Sequence, residues 1–212
     1  MGILGGTFNP PHRGHLALAL HARRELALER VLLMPAHAAP NKSRAGARGG
    51  REGGWDPGPE HRLRMCQLAA EGAAGVSVCA AEIERGGVSY TVDTLDSLHA
   101  SHPDAELTLI VGADVAATIG LWREPERLLE LAGVAVAARP GVPHDGVTAD
   151  HGPFEPAGAR VRRIEMPTID VSSSLVRSRV ARGEPIEELV GPAVAGYIAE
   201  HGLYRQSRDT SA

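Results

Sequence analysis

Short apolar runs recur along the chain at Gly2-Ile3-Leu4, Val31-Leu32-Leu33-Met34-Pro35, Val76-Ser77-Val78-Cys79-Ala80, Leu107-Thr108-Leu109-Ile110-Val111 and Val134-Ala135-Val136-Ala137. Runs this short, with so little polar alternation, read as strands covered on both faces. A short last strand is expected at Val161 to Ile164. Helical spacing fills the intervals: Leu16, Leu18, Ala19, Leu20 and Leu26 after the first run, then Leu63, Met65, Cys66, Leu68 and Ala69 within His61 to Glu71. Val92, Leu95 and Leu98 follow Ser89-Tyr90-Thr91, where Ser89 is placed to cap a helix. Shorter helices are expected at Val115 to Ile119 and Leu128 to Leu131, and later ones from Asp170 to Arg177 and from Val194 to Glu200. Strand and helix in turn imply right-handed βαβ units. The expected fold is therefore α/β, a Rossmann-like doubly wound parallel sheet of about five to six strands with a C-terminal helical segment.

The breaks in the pattern are as informative. The loop from Ala36 to Lys42 follows a strand stopped by Pro35, and residues 43–59 turn Gly-, Arg- and Pro-rich, which reads as a mobile loop. It suits either a lid over phosphates or a plain surface connection. Gly86-Gly87 marks a turn, and residues 140–160 a loop rich in Gly, Pro and Asp. With no internal repeat and no sign of a second domain, residues 1–205 are expected to form a single domain, followed by a polar tail at 206–212.

Composition changes this picture little. A core is possible at 43% hydrophobic residues, but with 3% aromatics it must be built from Ala, Val and Leu. A net charge of -4 gives no global pull toward nucleic acid or an anionic membrane, and no apolar stretch reaches membrane-spanning length. Cys66 and Cys79 lack a metal-binding spacing and read as buried thiols of a reducing compartment, so a cytoplasmic location is expected. All basic residues but Lys42 are arginines, which suggests that its position wants a compact ammonium on a flexible stem.

Candidate chemistry begins where the first strand ends. Gly5-Gly6-Thr7-Phe8-Asn9-Pro10-Pro11-His12-Arg13-Gly14-His15 joins a strand to a helix. Glycines let backbone N–H groups approach a phosphate, and a helix start carries unsatisfied donors and partial positive charge. His12 and His15, three apart, would share one side of the first turn. Neither a Walker loop nor G-x-G-x-x-G is present, and the stretch resembles the (T/H)xGH nucleotidyltransferase signature. The alternative is a strand-turn-helix with incidental histidines, or with a metal between them. Asp114, after the apolar strand and Gly112-Ala113, sits where a doubly wound sheet keeps its ligands, or caps the next helix. Trp122, flanked by Arg123 and Glu124, suits either the core or stacking on a planar ligand. Ser172-Ser173-Ser174 opens a helix with Arg177 a turn further on, either a second phosphate site or an ordinary serine cap.

Together these motifs resemble the bacterial nicotinate-nucleotide adenylyltransferases, along nearly the whole chain from Gly2 to about Tyr204. The resemblance is carried by Gly5 to His15, Lys42, Ser89 to Leu95, Gly112 to Asp114, Trp122, Arg139 to Gly141, Ser172 to Arg177 and the closing Tyr197, Ile198, Leu203 and Tyr204. It implies transfer of AMP from ATP to nicotinate mononucleotide, with Mg²⁺ arriving on ATP, no metal held by the protein alone, and a possible homo-oligomer. ATP would be bound by Gly5, Gly6, Thr7, Phe8, His12, His15, Gly112, Asp114, Ser172, Ser173 and Arg177. His12, His15, Lys42 and Arg177 would act on the phosphates, while Tyr90, Thr91 and Trp122 would surround the pyridine ring. Where relatives often read PPHK, this chain has Ala39-Pro40-Asn41-Lys42, which keeps the lysine and loses a histidine.

The chemistry agrees with this list. A phosphate monoester nucleophile is already anionic at pH 7 and needs no general base, in keeping with the lack of a Ser-His-Asp set or a carboxylate pair. In-line positioning and stabilisation of phosphate charge are what remain to be supplied. A related enzyme with a nicotinamide mononucleotide or phosphopantetheine acceptor, or a non-catalytic nucleotide-binding regulator, is the alternative. The lack of any lesion at His12, His15 or Arg177 speaks against the regulator.

Overall fold

The computed structural model of the chain describes residues 1–40, 56–138, 160–166 and 169–205. Lys42, the Arg139–Gly141 motif, most of the loop at 43–59 and the tail at 206–212 lie outside the described residues. Six strands form one sheet: β1 (Gly2–Gly6), β2 (Val31–Pro35), β3 (Val76–Val78), β4 (Leu107–Gly112), β5 (Ala132–Ala138) and β6 (Val161–Glu165). All pairings are parallel and the order is β3-β2-β1-β4-β5-β6. This is the doubly wound arrangement that the alternating pattern predicts, with β1 and β4 side by side where the strand order reverses.

The helices are α1 (Arg13–Glu25), α2 (Pro59–Ala70), α3 (Ala81–Arg85), α4 (Thr91–Ser101), α5 (Ala113–Ala116), α6 (Pro125–Leu131), α7 (Ser173–Arg182), α8 (Glu187–Val190) and α9 (Pro192–Glu200), with a 3₁₀ turn at Ile119–Leu121. None is long and apolar enough to cross a membrane among the described residues. Alternate strand residues serve opposite faces. Ile3, Leu32, Met34, Leu109, Val111, Val134 and Val136 pack with Val92, Leu95 and Leu98 of α4 and Leu128 and Leu131 of α6. Leu4, Leu33, Ile110, Ala135 and Ile164 pack on the other side with Ala19 and Ala22 of α1 and Cys66 of α2. A third cluster joins Met65 of α2 and Val176 of α7 to Val194 and Ile198 of α9, with Leu203 and Tyr204 beyond.

Three local expectations change. Ser89 does not cap α4: Tyr90 holds the cap position, and the Ser89 hydroxyl accepts the backbone N–H of His37 at 3.0 Å, which ties the loop after β2 to the start of α4. Gly112, not Asp114, caps α5, and Asp114 lies within its first turn. Cys66 is buried, whereas Cys79 is only partly so.

Candidate active site

At the C-terminal end of β1 the backbone is open. Gly5 is exposed although β1 is a central strand, and a Cβ added there would meet nothing within 4 Å. Connections from β1 and β4 leave toward opposite faces, so this is the crevice in which doubly wound sheets bind ligands. The β1–β4 register pairs Gly2 with Thr108 and Ile3 with Leu109. Phe8 then takes a left-handed backbone at φ 49, an uncommon state for a bulky residue, while its ring is buried. That ring meets His15 edge-on with centroids 4.9 Å apart. Gly6 leaves it room, for a Cβ there would come within 3.3 Å of Phe8.

His12 is the N-cap of α1, and its backbone N–H donates to Nδ1 of His15 at 3.2 Å. A ring nitrogen that accepts carries no proton, so neutral His15 holds its proton on Nε2 as a donor. The two imidazoles stack with centroids 3.7 Å apart and 23° between planes. Burial lowers the His12 pKa from 6.5 to about 4. Burial first, and then the charge of His12, lower that of His15 to about 3. Both rings are therefore neutral at pH 7, which is how two imidazoles can touch. Nδ1 of His12 is buried and has no hydrogen-bond partner among the described residues. Gly14 makes the stack possible, since a Cβ there would approach Nδ1 of His12 to 3.1 Å and Val171 to 3.0 Å.

α7 arrives on the same loop. Arg177 Nη1 donates to the Asn9 carbonyl at 2.6 Å, Ser173 Oγ to the Pro10 carbonyl at 2.8 Å, and the Tyr204 hydroxyl to Asn9 Oδ1 at 2.7 Å. Arg177 Nη2 also donates to Ser174 Oγ at 3.1 Å. Ser172 caps α7 by accepting the Leu175 N–H at 3.1 Å, which leaves its own O–H for a ligand. The structure thus brings residues 172–177 to the His12-His15 loop, with the Ser173 hydroxyl committed to that loop rather than free. Among the described residues Arg177 uses two of its five N–H groups.

Asp114 is exposed just past the end of β4, the strand next to β1. Its Oδ1 lies 2.9 Å from where a Gly112 Cβ would stand, so Gly112 has to be glycine for the carboxylate to fold back over it. On the face covered by α4, Tyr90 and Trp122 both pack against the edge of the core. Tyr90 precedes Thr91, the first residue of α4, and carries the Arg123 guanidinium 4.8 Å from its ring centroid. Trp122 donates from Nε1 to Thr118 Oγ1 at 3.0 Å. Tyr90 and Trp122 are thus linked through Arg123, the residue after Trp122.

Two residues escaped the sequence reading. Arg62, inside α2, looks like any helical arginine in His61-Arg62-Leu63-Arg64, yet it is 1% exposed. His37 carried no motif, but its ring Nδ1 lies 2.9 Å from the Gly87 carbonyl and its backbone reaches both Ser89 and Arg62. No stretch of side-chain types announces either role, because both depend on backbone carbonyls.

A Cytidylyltransferase-like family model matches residues 3–179. A "Probable nicotinate-nucleotide adenylyltransferase" of Roseiflexus sp. (strain RS-1) is 43% identical over 205 residues, covering 97% of this chain and 98% of that protein. One from Gemmatimonas aurantiaca is 37% identical over 206 residues, covering 97% and 92%. Among solved structures, the Plasmodium falciparum nicotinic acid mononucleotide adenylyltransferase complexed with NaAD superposes with a TM-score of 0.74 at 18% identity, covering 96% of each chain, which speaks to the fold. Identity at this level over 97% of the chain means that it belongs to the nicotinate-nucleotide adenylyltransferase family.

Proposed function

We propose that the chain transfers the adenylyl group of ATP to nicotinate mononucleotide, releasing pyrophosphate, with residues 1–205 acting as one unit. The observation that carries this reading is the neutral, stacked His12-His15 pair at the start of α1, held against Arg177 by the Asn9-Pro10 backbone. The mononucleotide phosphate is the nucleophile. It attacks the α-phosphorus of ATP, the new P–O bond forms as the bond to pyrophosphate breaks, and no side chain has to remove a proton. His15 Nε2–H, the Arg177 guanidinium, the Ser172 hydroxyl and the start of α1 stabilise charge that grows on the phosphates. Lys42 is assigned to the same task. Gly5 to Phe8, Gly112 and Asp114 border the nucleotide. Tyr90, Thr91 and Trp122 enclose the pyridine ring.

A divalent cation, Mg²⁺, fits as a passenger of ATP. No group of three or more His, Cys, Asp or Glu among the described residues could hold a metal ion, and Asp114 offers one exposed carboxylate at the crevice. Such an ion would be held largely by phosphates, with Asp114 the carboxylate within the crevice, and would supply charge neutralisation there.

The test is pyrophosphate release from ATP with nicotinate mononucleotide, nicotinamide mononucleotide and phosphopantetheine as acceptors. The highest kcat/KM is expected with the first. His15→Ala should lower turnover about 10²-fold, the size of losing one transition-state donor. Near wild-type turnover of that variant, or preference for another acceptor, would refute the assignment.

A further inference from the structure

We infer that Arg62 is a positioning residue of the transfer reaction, fixing the phosphate loop and the acceptor-ring segment relative to each other. Four of its five N–H groups are engaged. Nη1 donates to the Thr7 carbonyl at 2.9 Å and the Ala36 carbonyl at 2.6 Å, Nη2 to the His37 carbonyl at 2.8 Å, and Nε to Asp56 Oδ1 at 3.0 Å. Asp56 is half-exposed, so the buried charge is held mainly by backbone dipoles.

Those carbonyls stand where β1 and β2 part. The ladder closes with the Ala36 N–H on the Gly6 carbonyl at 2.9 Å. Beyond it the two chains diverge, and the rigid fork of a guanidinium bridges them. Thr7 precedes Phe8, whose ring meets His15, so one arm of the fork reaches the phosphate site through two residues. His37 gives its backbone N–H to Ser89 Oγ, next to Tyr90 and Thr91, so the other arm reaches the ring pocket. The orphaned carbonyls alone would call for a donor. A fork reaching both substrate segments makes their separation depend on one side chain, and a 1 Å error in such a separation costs on the order of 10² in rate.

A lysine can keep the charge but cannot span three divergent carbonyls. Arg62→Lys is therefore to be assayed well below its melting temperature, alongside NMR of the ¹⁵N-labelled histidine rings. The expected result is folded protein with displaced His12 and His15 ring signals, and kcat lower by about 10²-fold while the KM for ATP changes little. Folded Arg62→Lys with wild-type kcat and wild-type ring signals would mean that Arg62 only stabilises, and would overturn the inference. If that variant does not fold, Asp56→Ala decides at a half-exposed position. Loosening Nε should shift the same ring signals and lower kcat severalfold, and unchanged values overturn the proposal. The kinetic arm rests on the adenylyl-transfer reading. If the wild-type chain releases no pyrophosphate, that reading fails, and the ring signals still judge Arg62.

Discussion

His12 and His15 are neutral because they are partly buried, stacked on each other with Phe8 edge-on to His15, and that makes them a source of pH dependence. In the unfolded chain each titrates near 6.5, and in the fold near 4 and 3. Lowered pKa values mean that acid favours the unfolded state, so this stability is complete above pH 6.5 and is lost as pH falls toward 4 and 3. The slope reaches up to about 1.4 kcal/mol per pH unit for each ring. Glu82, whose carboxyl burial raises, acts with the opposite sign. Urea unfolding at pH 7.5 and 5 should therefore show a large acid loss in the wild type and a smaller one when both histidines are glutamine. Equal losses would contradict the buried neutral pair. At this scale the sequence made the histidines legible because two glycines and two prolines surround them. It concealed Arg62, since a donor to backbone carbonyls leaves no mark in the side-chain string, and the Tyr204 bond to Asn9 Oδ1, whose partners stand 195 positions apart.

Short apolar strands and helices long enough to show a period were legible, and α3 and α8 were not. α3 and α8, at five and four residues, complete barely one turn, so no apolar periodicity can form in them. α1 was predicted from its leucines, but not that its first turn must be glycine at position 14. Gly14→Ala adds a methyl 3.1 Å from Nδ1 of His12 and 3.0 Å from Val171 Cγ1. Alanine favours a helix over glycine by up to about 1 kcal/mol, so stability should change by no more than roughly that amount. The histidine stack, in contrast, must give by a few tenths of an ångström. Turnover is expected to fall between about threefold and thirtyfold, in proportion to donor displacement. A variant with the wild-type rate would show that the ring relocates without consequence.

For the molecule as a whole, the alternation of strand and helix foretold the parallel sheet, and order β3-β2-β1-β4-β5-β6 explains why the motifs at 5–15 and 112–114 share one crevice. The C-terminal segment was harder to place, because nothing local says that residues after 171 return to Asn9. Its anchor is the third cluster, in which Leu203 and Tyr204 are buried with Val194 and Ile198. Leu203→Ala should cost roughly 2–5 kcal/mol, read as a lowered urea midpoint. Because the same cluster carries the clamp on Asn9, turnover should fall at temperatures where the sheet remains folded. Intact turnover alongside a lowered midpoint would separate the anchor from the site.

The hydrogen bond from Tyr204 to Asn9 spans 195 positions. The loop after β1 thus owes one of its ties to a residue that only the folded chain brings near, and cleavage between α9 and Tyr204 would leave both histidines in the sequence while removing that tie.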